Sequence, residues 1–262
     1  EALYVCATSR SHKGSKDREM IRMGSDEAHI KLNVKKNGLP YRIDMHLKKN
    51  KSKGIAVNGI PIKRAVELFG ILNIVCFSPE DLSIIKNGPA ERRRFMDMEL
   101  SQLDKIYLSN LINYNKVVNQ RNKLLKELSF KSSEEKLETL DIWDLQLVKY
   151  GTEVMKRRVG FVQELNEIIG GLHEKLSGGT EKLTIEYQPC VEETAFLDTV
   201  TKMRERDLRM KSTCFGPHKD DLIFFINGSE VKKYGSQGQQ RTAALSLKLA
   251  EIELVKKVVK DT

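Results

Sequence analysis

The residues from Tyr234 to Thr242, which read YGSQGQQRT, have the types and the order of an anion-binding loop. They lie between a predicted strand pair and a long predicted helix. Small residues allow backbone N–H groups to face outward, and the amino end of a helix carries partial positive charge. Ser236 adds a hydroxyl donor, so a phosphate group would fit here. The same pattern also suits a plain Gly/Ser loop that caps a helix.

Three consecutive arginines, Arg92, Arg93 and Arg94, follow a predicted helix start at Asn87-Gly88-Pro89. Positive charge near the amino end of a helix is unfavourable by about 0.3–1 kcal/mol per residue. Some interaction must therefore offset it. Contact with nucleic-acid phosphates is one hypothesis, and pairing with Asp97 or Glu99 in the same chain is the alternative.

His218, Asp220 and Asp221 have side chains that a metal-dependent nuclease would use. Adjacent residues on a strand point to opposite faces, however, so the two carboxylates would converge poorly on one ion. We therefore expect no metal site here. The isolated histidines are predicted to be surface or structural residues; they are His29, His46 and His173.

Alternating apolar residues and two Asn-Gly pairs predict an antiparallel β-meander over residues 28–61. A short helix is expected near Ile62–Phe69. The continuous apolar run Leu72–Phe77 predicts a buried strand. At the start of the chain, the residues after Glu1 have the apolar spacing that is typical of the interior of a helix.

From residue 87 to about residue 211 the pattern is almost wholly helical, with two apolar stripes at 3–4 spacing. The first runs from Leu103 to Leu128; the second runs from Leu137 to Leu172, includes Leu145, and ends at Ser177-Gly178-Gly179. Trp143 and the tyrosines of this region are predicted to be core residues. A strand at Leu183–Tyr187 and a polar helix near Val191–Arg209 complete it. Strands return at Leu222–Ile226, and an amphipathic helix covers Gln239–Thr262.

These elements predict an α/β lobe that is interrupted by an all-helical arm. The expected divisions are residues 1–86 for the first part of the lobe, 87–210 for the arm and 211–262 for the second part. Because the chain opens and closes inside predicted helices, we expect it to be a piece of a longer protein.

The net charge of +9 is confined to the first quarter of the chain. Residues 1–64 hold 15 Lys and Arg against 6 Asp and Glu, whereas the remaining residues hold 30 of each. This imbalance favours an anionic partner, nucleic acid before membrane. The four cysteines are scattered and lack metal-binding spacing, which is typical of reduced thiols in a cytoplasmic protein. No apolar run is long enough to span a membrane.

Several motifs together resemble the RecF family of ABC-type ATPases. Gly235–Thr242 with the following AALSLKLAE resembles the family's signature motif and helix. Gly216–Leu222 resembles its Gly-Pro-His segment. The segment before the family's helical arm is similar to residues 77–82, to Gly88-Pro89 and to residues 92–97. The stretch after the family's nucleotide-binding helix is similar to Ser9–Lys13. The resemblance covers essentially the whole chain in the family's order.

The resemblance implies a P-loop NTPase head in which Ser236, Gly238, Gln239 and Arg241 contact ATP bound by a second subunit. It places Ser78, Glu80 or Asp81 where the family has a Mg²⁺-contacting Q-loop glutamine, and leaves open which of them serves. No G-x-x-x-x-G-K-[ST] string occurs in the chain, and the family's P-loop and Walker B strand would fall just outside it. We therefore expect this chain alone to bind no nucleotide tightly and to hydrolyse no ATP.

For the intact protein, the resemblance implies a weak ATPase with ATP and Mg²⁺ as cofactors. It also implies an ATP-dependent homodimer that binds DNA at single-strand/double-strand junctions and supports recombinase loading in gap repair with the mediators RecR and RecO. The candidate DNA contacts are Arg10, Lys13, Arg92, Arg93 and Arg94. The alternatives are a head fragment of another SMC-like ATPase and a non-enzymatic DNA-binding or interaction module.

Overall fold

The computed structural model describes residues 1–129 and 133–259, which form two compact units. One unit consists of residues 1–81, 101–105 and 251–259, and the other of residues 82–100 and 106–250. The second unit thus contains the predicted arm except for residues 101–105, together with most of the predicted second part of the lobe.

The first unit is built on the predicted meander. Helix α1 (Ala2–Thr8) precedes four antiparallel strands in the order β1-β2-β3-β4, which are β1 (Glu27–Lys36), β2 (Leu39–Lys48), β3 (Lys51–Val57) and β4 (Ile60–Pro61). Asn37 and Gly38 both have positive φ, 49° and 77°, as a two-residue hairpin turn requires. The meander is therefore confirmed, with a short fourth strand after the second Asn-Gly turn.

Alternation along β2 creates the core of this unit. Ile43, Met45 and Leu47 are buried on one face, whereas the residues between them face the other side. The buried residues pack with α1 and with a 3₁₀ turn at Ala65–Leu68, which lies within the short helix predicted near Ile62–Phe69. A second 3₁₀ turn covers Asp17–Met20.

The strand predicted at Leu72–Phe77 is wrong, since these residues are irregular and only partly buried before Phe77. The backbone of Ile74 bonds to a side chain instead of a neighbouring strand. Its N–H donates to Oε1 of Gln102 at 2.9 Å, and its carbonyl accepts from Nε2 of the same amide at 3.3 Å. A side-chain amide thus satisfies the groups that a strand ladder would have used.

The predicted helical arm is confirmed by three long helices, with a short one before them. Their bounds are α2 (Leu82–Lys86), α3 (Pro89–Leu103), α4 (Lys105–Leu128) and α5 (Glu134–Leu176). Trp143 packs against leucines near the end of α4 and near the start of α5. Tyr107 and Tyr114 are buried, as predicted. Within the second predicted stripe, Leu137 and Leu145 are exposed instead.

Charged residues occupy several interior positions of the arm. Arg121 is fully buried and pairs with Asp144 at 2.6 Å and with Asp207 at 2.5 Å. Arg158 is buried as well, and its guanidinium donates to Asp97 Oδ1 and to the Pro217 carbonyl, both at 2.7 Å. Because each charge has a partner, these helices can be buried on faces that are not wholly apolar.

The second unit also contains a three-stranded antiparallel sheet in the order β5-β6-β7, made of β5 (Leu183–Gln188), β6 (Asp221–Ile226) and β7 (Ser229–Glu230). The predicted strands are confirmed, and Asn227 and Gly228, both with positive φ, form the turn between β6 and β7. The predicted polar helix is divided into a 3₁₀ turn, α6 (Phe196–Lys202) and α7 (Arg204–Met210). After β7 come α8 (Val231–Tyr234) and α9 (Gln237–Val259), while the predicted end of α9 lies outside the described residues.

Across the described residues, no helix combines the length and the apolar character that a membrane crossing would need.

Candidate functional site

The predicted anion-binding loop forms the start of α9, a helix of 23 residues. Ser236 caps it reciprocally with Gln239. The N–H of Gln239 donates to Ser236 Oγ at 3.1 Å, and the N–H of Ser236 donates to Gln239 Oε1 at 2.8 Å. This Ser-x-x-Gln capping box shows that the loop does cap its helix, and it also fixes the direction of the Ser236 side chain.

Three hydrogen-bond donors remain at this helix end. The first backbone bond of the helix runs from the Gln240 N–H to the Ser236 carbonyl at 3.0 Å, so the N–H groups of Gln237 and Gly238 precede it. Among the hydrogen bonds of the described residues, none is donated by these two N–H groups or by the Ser236 hydroxyl. Ser236, Gln237 and Gly238 are all exposed. The arrangement can therefore donate to an oxyanion that approaches from solvent.

Neighbouring side chains leave this surface open and basic. A Cβ on Gly238 would meet only Ser236 Oγ, at 3.7 Å, so the glycine keeps the approach clear. Arg241 is exposed one turn further along α9. Just before the loop, Lys232 and Lys233 are exposed on α8, and Tyr234 is 76% exposed.

The side chain of Gln239 is held from behind and does not face the open surface. Its Nε2 donates to Glu181 Oε1 at 2.8 Å, and the other carboxylate oxygen lies 3.2 Å from His173 Nε2. His173 is fully buried on α5, with Nδ1 2.9 Å from Ser246 Oγ on α9. A chain of polar contacts thus connects the capping residue of α9 to the interior of the arm.

The three arginines have three different environments. Arg92 is buried and forms a bidentate pair with Asp221, at 2.6 and 2.8 Å, and it also donates to the carbonyls of Ile84 and Asn87. The half-buried Arg93 donates to the Asp220 carbonyl at 2.7 Å. Arg94 is exposed. Pairing within the chain therefore accounts for Arg92, but its partner is Asp221 instead of the expected Asp97 or Glu99.

His218, Asp220 and Asp221 do not converge, as their spacing predicted. The Tyr114 hydroxyl lies 2.6 Å from His218 Nδ1, and His218 Nε2 lies 3.0 Å from the Thr213 carbonyl. Burial lowers the pKa of His218 to about 4, so the ring is neutral at physiological pH. Asp220 is fully buried and accepts bonds from the Cys190 N–H, at 2.8 Å, and from the Tyr187 hydroxyl. These side chains are thus bonded to different structural partners.

The segment Gly216–Leu222 requires glycine at its first position. Its φ is +124°, a conformation that residues with a side chain rarely adopt. A Cβ there would lie 3.0 Å from the Phe196 ring and closer still to the Tyr114 hydroxyl. The close approach places Tyr114 against His218.

The Q-loop-like residues form a small turn in the first unit. The N–H of Ser78 donates to Asp81 Oδ2 at 2.6 Å, and the Ser78 hydroxyl donates to Glu80 Oε2 at 2.6 Å. Asp81 is buried, with Oδ1 3.7 Å from His12 Nε2. Glu80 is exposed, and the hydrogen bond from Ser78 lowers the pKa of its carboxyl. Glu80 is therefore the accessible carboxylate of this turn, and Asp81 the buried one.

Arg10 and Lys13 are both exposed in the first unit, on the segment that follows α1. The structure thus leaves Arg10, Lys13 and Arg94 accessible among the candidate DNA contacts, while Arg92 is buried.

Sequence reasoning missed Glu181 and the role of Asp221. Glu181 lies 58 residues before Gln239, and Asp221 lies 129 residues after Arg92. Nothing in the local pattern around either carboxylate indicates its partner. A capping box, by contrast, could have been read from the serine and glutamine three residues apart.

The chain matches known proteins along its whole length, although no family model matches it. Three curated relatives are called DNA replication and repair protein RecF. They are 68% identical over 262 residues in Lachnospira eligens, 61% over 261 residues in Lachnoclostridium phytofermentans and 60% over 262 residues in Agathobacter rectalis. Each match covers 100% of this chain and 72% of the relative.

Two solved structures have the same fold. Both are described as the recombination mediator protein RecF in the RecFOR pathway, one as RecF-ATP and one as RecF-ATPrS. Their TM-scores are 0.92 and 0.89, at 34% and 35% identity. Both matches cover 99% of this chain and 72% of the solved one. Since the fold and the sequence agree over the whole chain, it belongs to the RecF family of DNA replication and repair proteins, and its lobe and arm have the α/β architecture of ABC-type ATPase heads.

Proposed function

We propose that this chain supplies an intact RecF-family protein with the half of an ATP site that contacts nucleotide held by a second copy. The observation that carries the proposal is the set of outward donors at the start of α9. The terminal phosphate of ATP presents oxygen acceptors and negative charge, which match the Ser236 hydroxyl, two free N–H groups and the helix dipole. The solved relatives described with ATP and ATPrS support nucleotide as the ligand.

Within this half-site the residues have separate roles. Ser236 and Gly238 donate to the phosphate, and Arg241 contributes long-range positive charge. Gln239 positions the loop through Ser236 and Glu181. Separately from this half-site, Glu80 of the first unit supplies a carboxylate ligand to Mg²⁺, a cation that prefers oxygen ligands. The 262-residue chain by itself is expected to bind neither ATP nor Mg²⁺ tightly.

We further propose that the intact protein, as an ATP-dependent homodimer, binds junctions of single- and double-stranded DNA. It would then support recombinase loading in gap repair together with the mediators RecR and RecO. The names of the relatives and the exposed Arg10, Lys13 and Arg94 support this proposal. Cations on flexible side chains contact phosphates without reading bases, so binding should be strong at low salt and independent of sequence.

Replacing Ser236 tests the half-site in the full-length protein. Ser236→Asp keeps a good helix cap, because aspartate caps helices as well as serine does. Its carboxylate would, however, repel the phosphate. We expect unchanged thermal stability and loss of ATP-dependent dimerisation in sedimentation velocity. Ser229→Asp is the matched control, since it puts the same charge on an exposed serine of the β6–β7 hairpin. ATP-dependent dimers that persist in Ser236→Asp would disprove the assignment.

A further inference from the structure

Three potential metal ligands meet on the outer face of the meander. Glu27 and His29 lie on β1, and His46 lies on β2. His46 Nε2 is 2.9 Å from one Glu27 oxygen, and His29 Nε2 is 3.8 Å from the other. One ligand atom from each residue lies within 4.8 Å of the other two. Within residues 1–129 and 133–259, no other group of three His, Cys, Asp or Glu side chains converges in this way.

The backbone holds the two histidines opposite each other. In the β1–β2 register His29 pairs with His46, and Glu27 pairs with Lys48. The tight Asn37-Gly38 turn fixes that register, and the opposite faces of both strands are anchored in the core. The imidazole rings stack with centroids 3.9 Å apart and planes 25° apart. The two rings therefore need only side-chain rotation, without any backbone movement, to aim at a common point.

Space for an ion is available beside the rings. On the other side of β2, His46 pairs with Gly54 of β3, which has no side chain to cover the site. The side chain of His29 is 65% exposed and that of Glu27 is 51% exposed. Water can therefore complete the coordination shell.

The ligand set indicates the class of ion. Two imidazole nitrogens and one carboxylate oxygen suit Zn²⁺ and neighbouring late transition metals, and disfavour Ca²⁺ and Mg²⁺, which prefer oxygen ligands alone. With bonds of about 2.0–2.2 Å, tetrahedral ligands lie roughly 3.3–3.6 Å apart. The distances between the Glu27 oxygens and the two Nε2 atoms, 2.9 and 3.8 Å, lie on either side of that range.

We propose that Glu27, His29 and His46 form a binding site for Zn²⁺ or a similar divalent transition metal on the β1–β2 hairpin. Lys48 Nζ, 3.5 Å from Glu27, moves into solvent when the cation enters, because its side chain is 41% exposed. The site is independent of the proposed ATP half-site, which lies in the other unit.

Calorimetric titration of the chain with Zn²⁺ tests the proposal. We expect one equivalent to bind, and expect His29→Ala and His46→Ala each to weaken binding by at least about tenfold. His12→Gln is the matched control, since it removes an imidazole outside the trio, and its affinity should be unchanged. Both histidines of the trio are on the surface, so circular dichroism should show native folds.

Titration with Co²⁺ separates this site from metal capture by cysteine. Coordination by nitrogen and oxygen gives visible d–d bands without the thiolate-to-metal charge-transfer band that cysteine ligation produces. Absence of saturable Zn²⁺ binding would mean that the trio is only a surface ion pair. Equal binding by the His29→Ala/His46→Ala double variant, or a thiolate band with Co²⁺, would likewise overturn the proposal.

Discussion

At the scale of single residues, the function of a charged side chain depends on whether it has a partner. Arg92 and Arg94 are two positions apart on α3, but one is buried against Asp221 and the other is exposed. Positive charge at a helix start is unfavourable, and this suggested phosphate contact for all three arginines. For Arg92, the bidentate pair with the Asp221 carboxylate offsets that unfavourable interaction. Only the exposed arginine is free to meet an anion from solvent.

Removal of Asp221 should be strongly destabilising, because Arg92 would remain buried without its counter-charge. We expect Asp221→Ala to lower the free energy of unfolding by about 3 kcal/mol in urea denaturation. The double variant Arg92→Met/Asp221→Ala should recover most of this loss, since it removes the unpaired charge as well. If Asp221→Ala changes stability by less than about 0.5 kcal/mol, Arg92 must reach water or another partner.

His218 should make the protein sensitive to acid. Its pKa is about 4 in the folded state and about 6.5 in an unfolded chain, so the unfolded state binds the proton first as pH falls. The stabilising contribution is complete above pH 6.5 and is lost progressively down to about pH 4. Between pH 7 and 4.5 the loss due to this residue should be about 2–3 kcal/mol.

Urea denaturation of wild type and His218→Gln at both pH values measures this contribution. Other titrating groups, including Asp220, whose pKa burial raises, are present in both proteins and cancel in the comparison. The wild type should lose about 2–3 kcal/mol more than the variant on acidification. Parallel pH profiles would show that His218 is not the responsible group.

At the scale of elements, α5 shows how charged and small residues replace apolar ones in a helix core. Its buried face repeats at 3–4 spacing, but Asp144, Gly151 and Arg158 occupy three of those positions. Apolar leucines such as Leu145 lie outside the face, 59% exposed. The buried face of α5 is therefore defined by the residues that have partners on α4, α6 and α7. A prediction from hydrophobicity alone assigns some residues, such as Leu145, to the wrong face.

Gly151 should not tolerate even a methyl group. A Cβ there would lie 2.6 Å from Phe196 and 3.0 Å from Tyr114, so Gly151→Ala should destabilise by about 1–3 kcal/mol despite the better helix propensity of alanine. Gly171→Ala is the control in the same helix, because nothing lies within 4 Å of its Cβ. It should stabilise by about 0.5–1 kcal/mol in thermal unfolding. Equal effects at the two sites would contradict the close packing at Gly151.

At the scale of the whole molecule, charge is distributed unevenly between the two units. The excess of +9 belongs to residues 1–64, all in the unit that contains Arg10 and Lys13, and the rest of the chain is balanced. Some of the 15 cations of this region pair with its 6 carboxylates, as in Arg42 with Asp44 and Lys53 with Asp17. The exposed remainder makes this unit the one that DNA phosphates should approach.

Salt dependence of DNA binding by the full-length protein tests this expectation. Each lost phosphate contact lowers the slope of log affinity against log salt by about 1, so Arg10→Ala/Lys13→Ala should flatten it by about 2. Lys123→Ala/Lys126→Ala is the control, because it removes the same charge from exposed positions of α4. Fluorescence anisotropy with a DNA junction measures both slopes. Equal slopes in the two variants would remove Arg10 and Lys13 from the interface.

The sequence alone determined the features that short-range geometry controls. Asn-Gly turns set the meander and its register, 3–4 periodicity indicated the arm, and the serine before α9 marked the start of that helix. The tertiary structure alone decided which charges are internal and which strands exist. Arg92 finds Asp221 across 129 positions, and Ile74 bonds a glutamine amide instead of a strand. Turn and helix propensities depend on neighbouring residues, whereas burial of a polar group requires a partner that only the folded chain brings near.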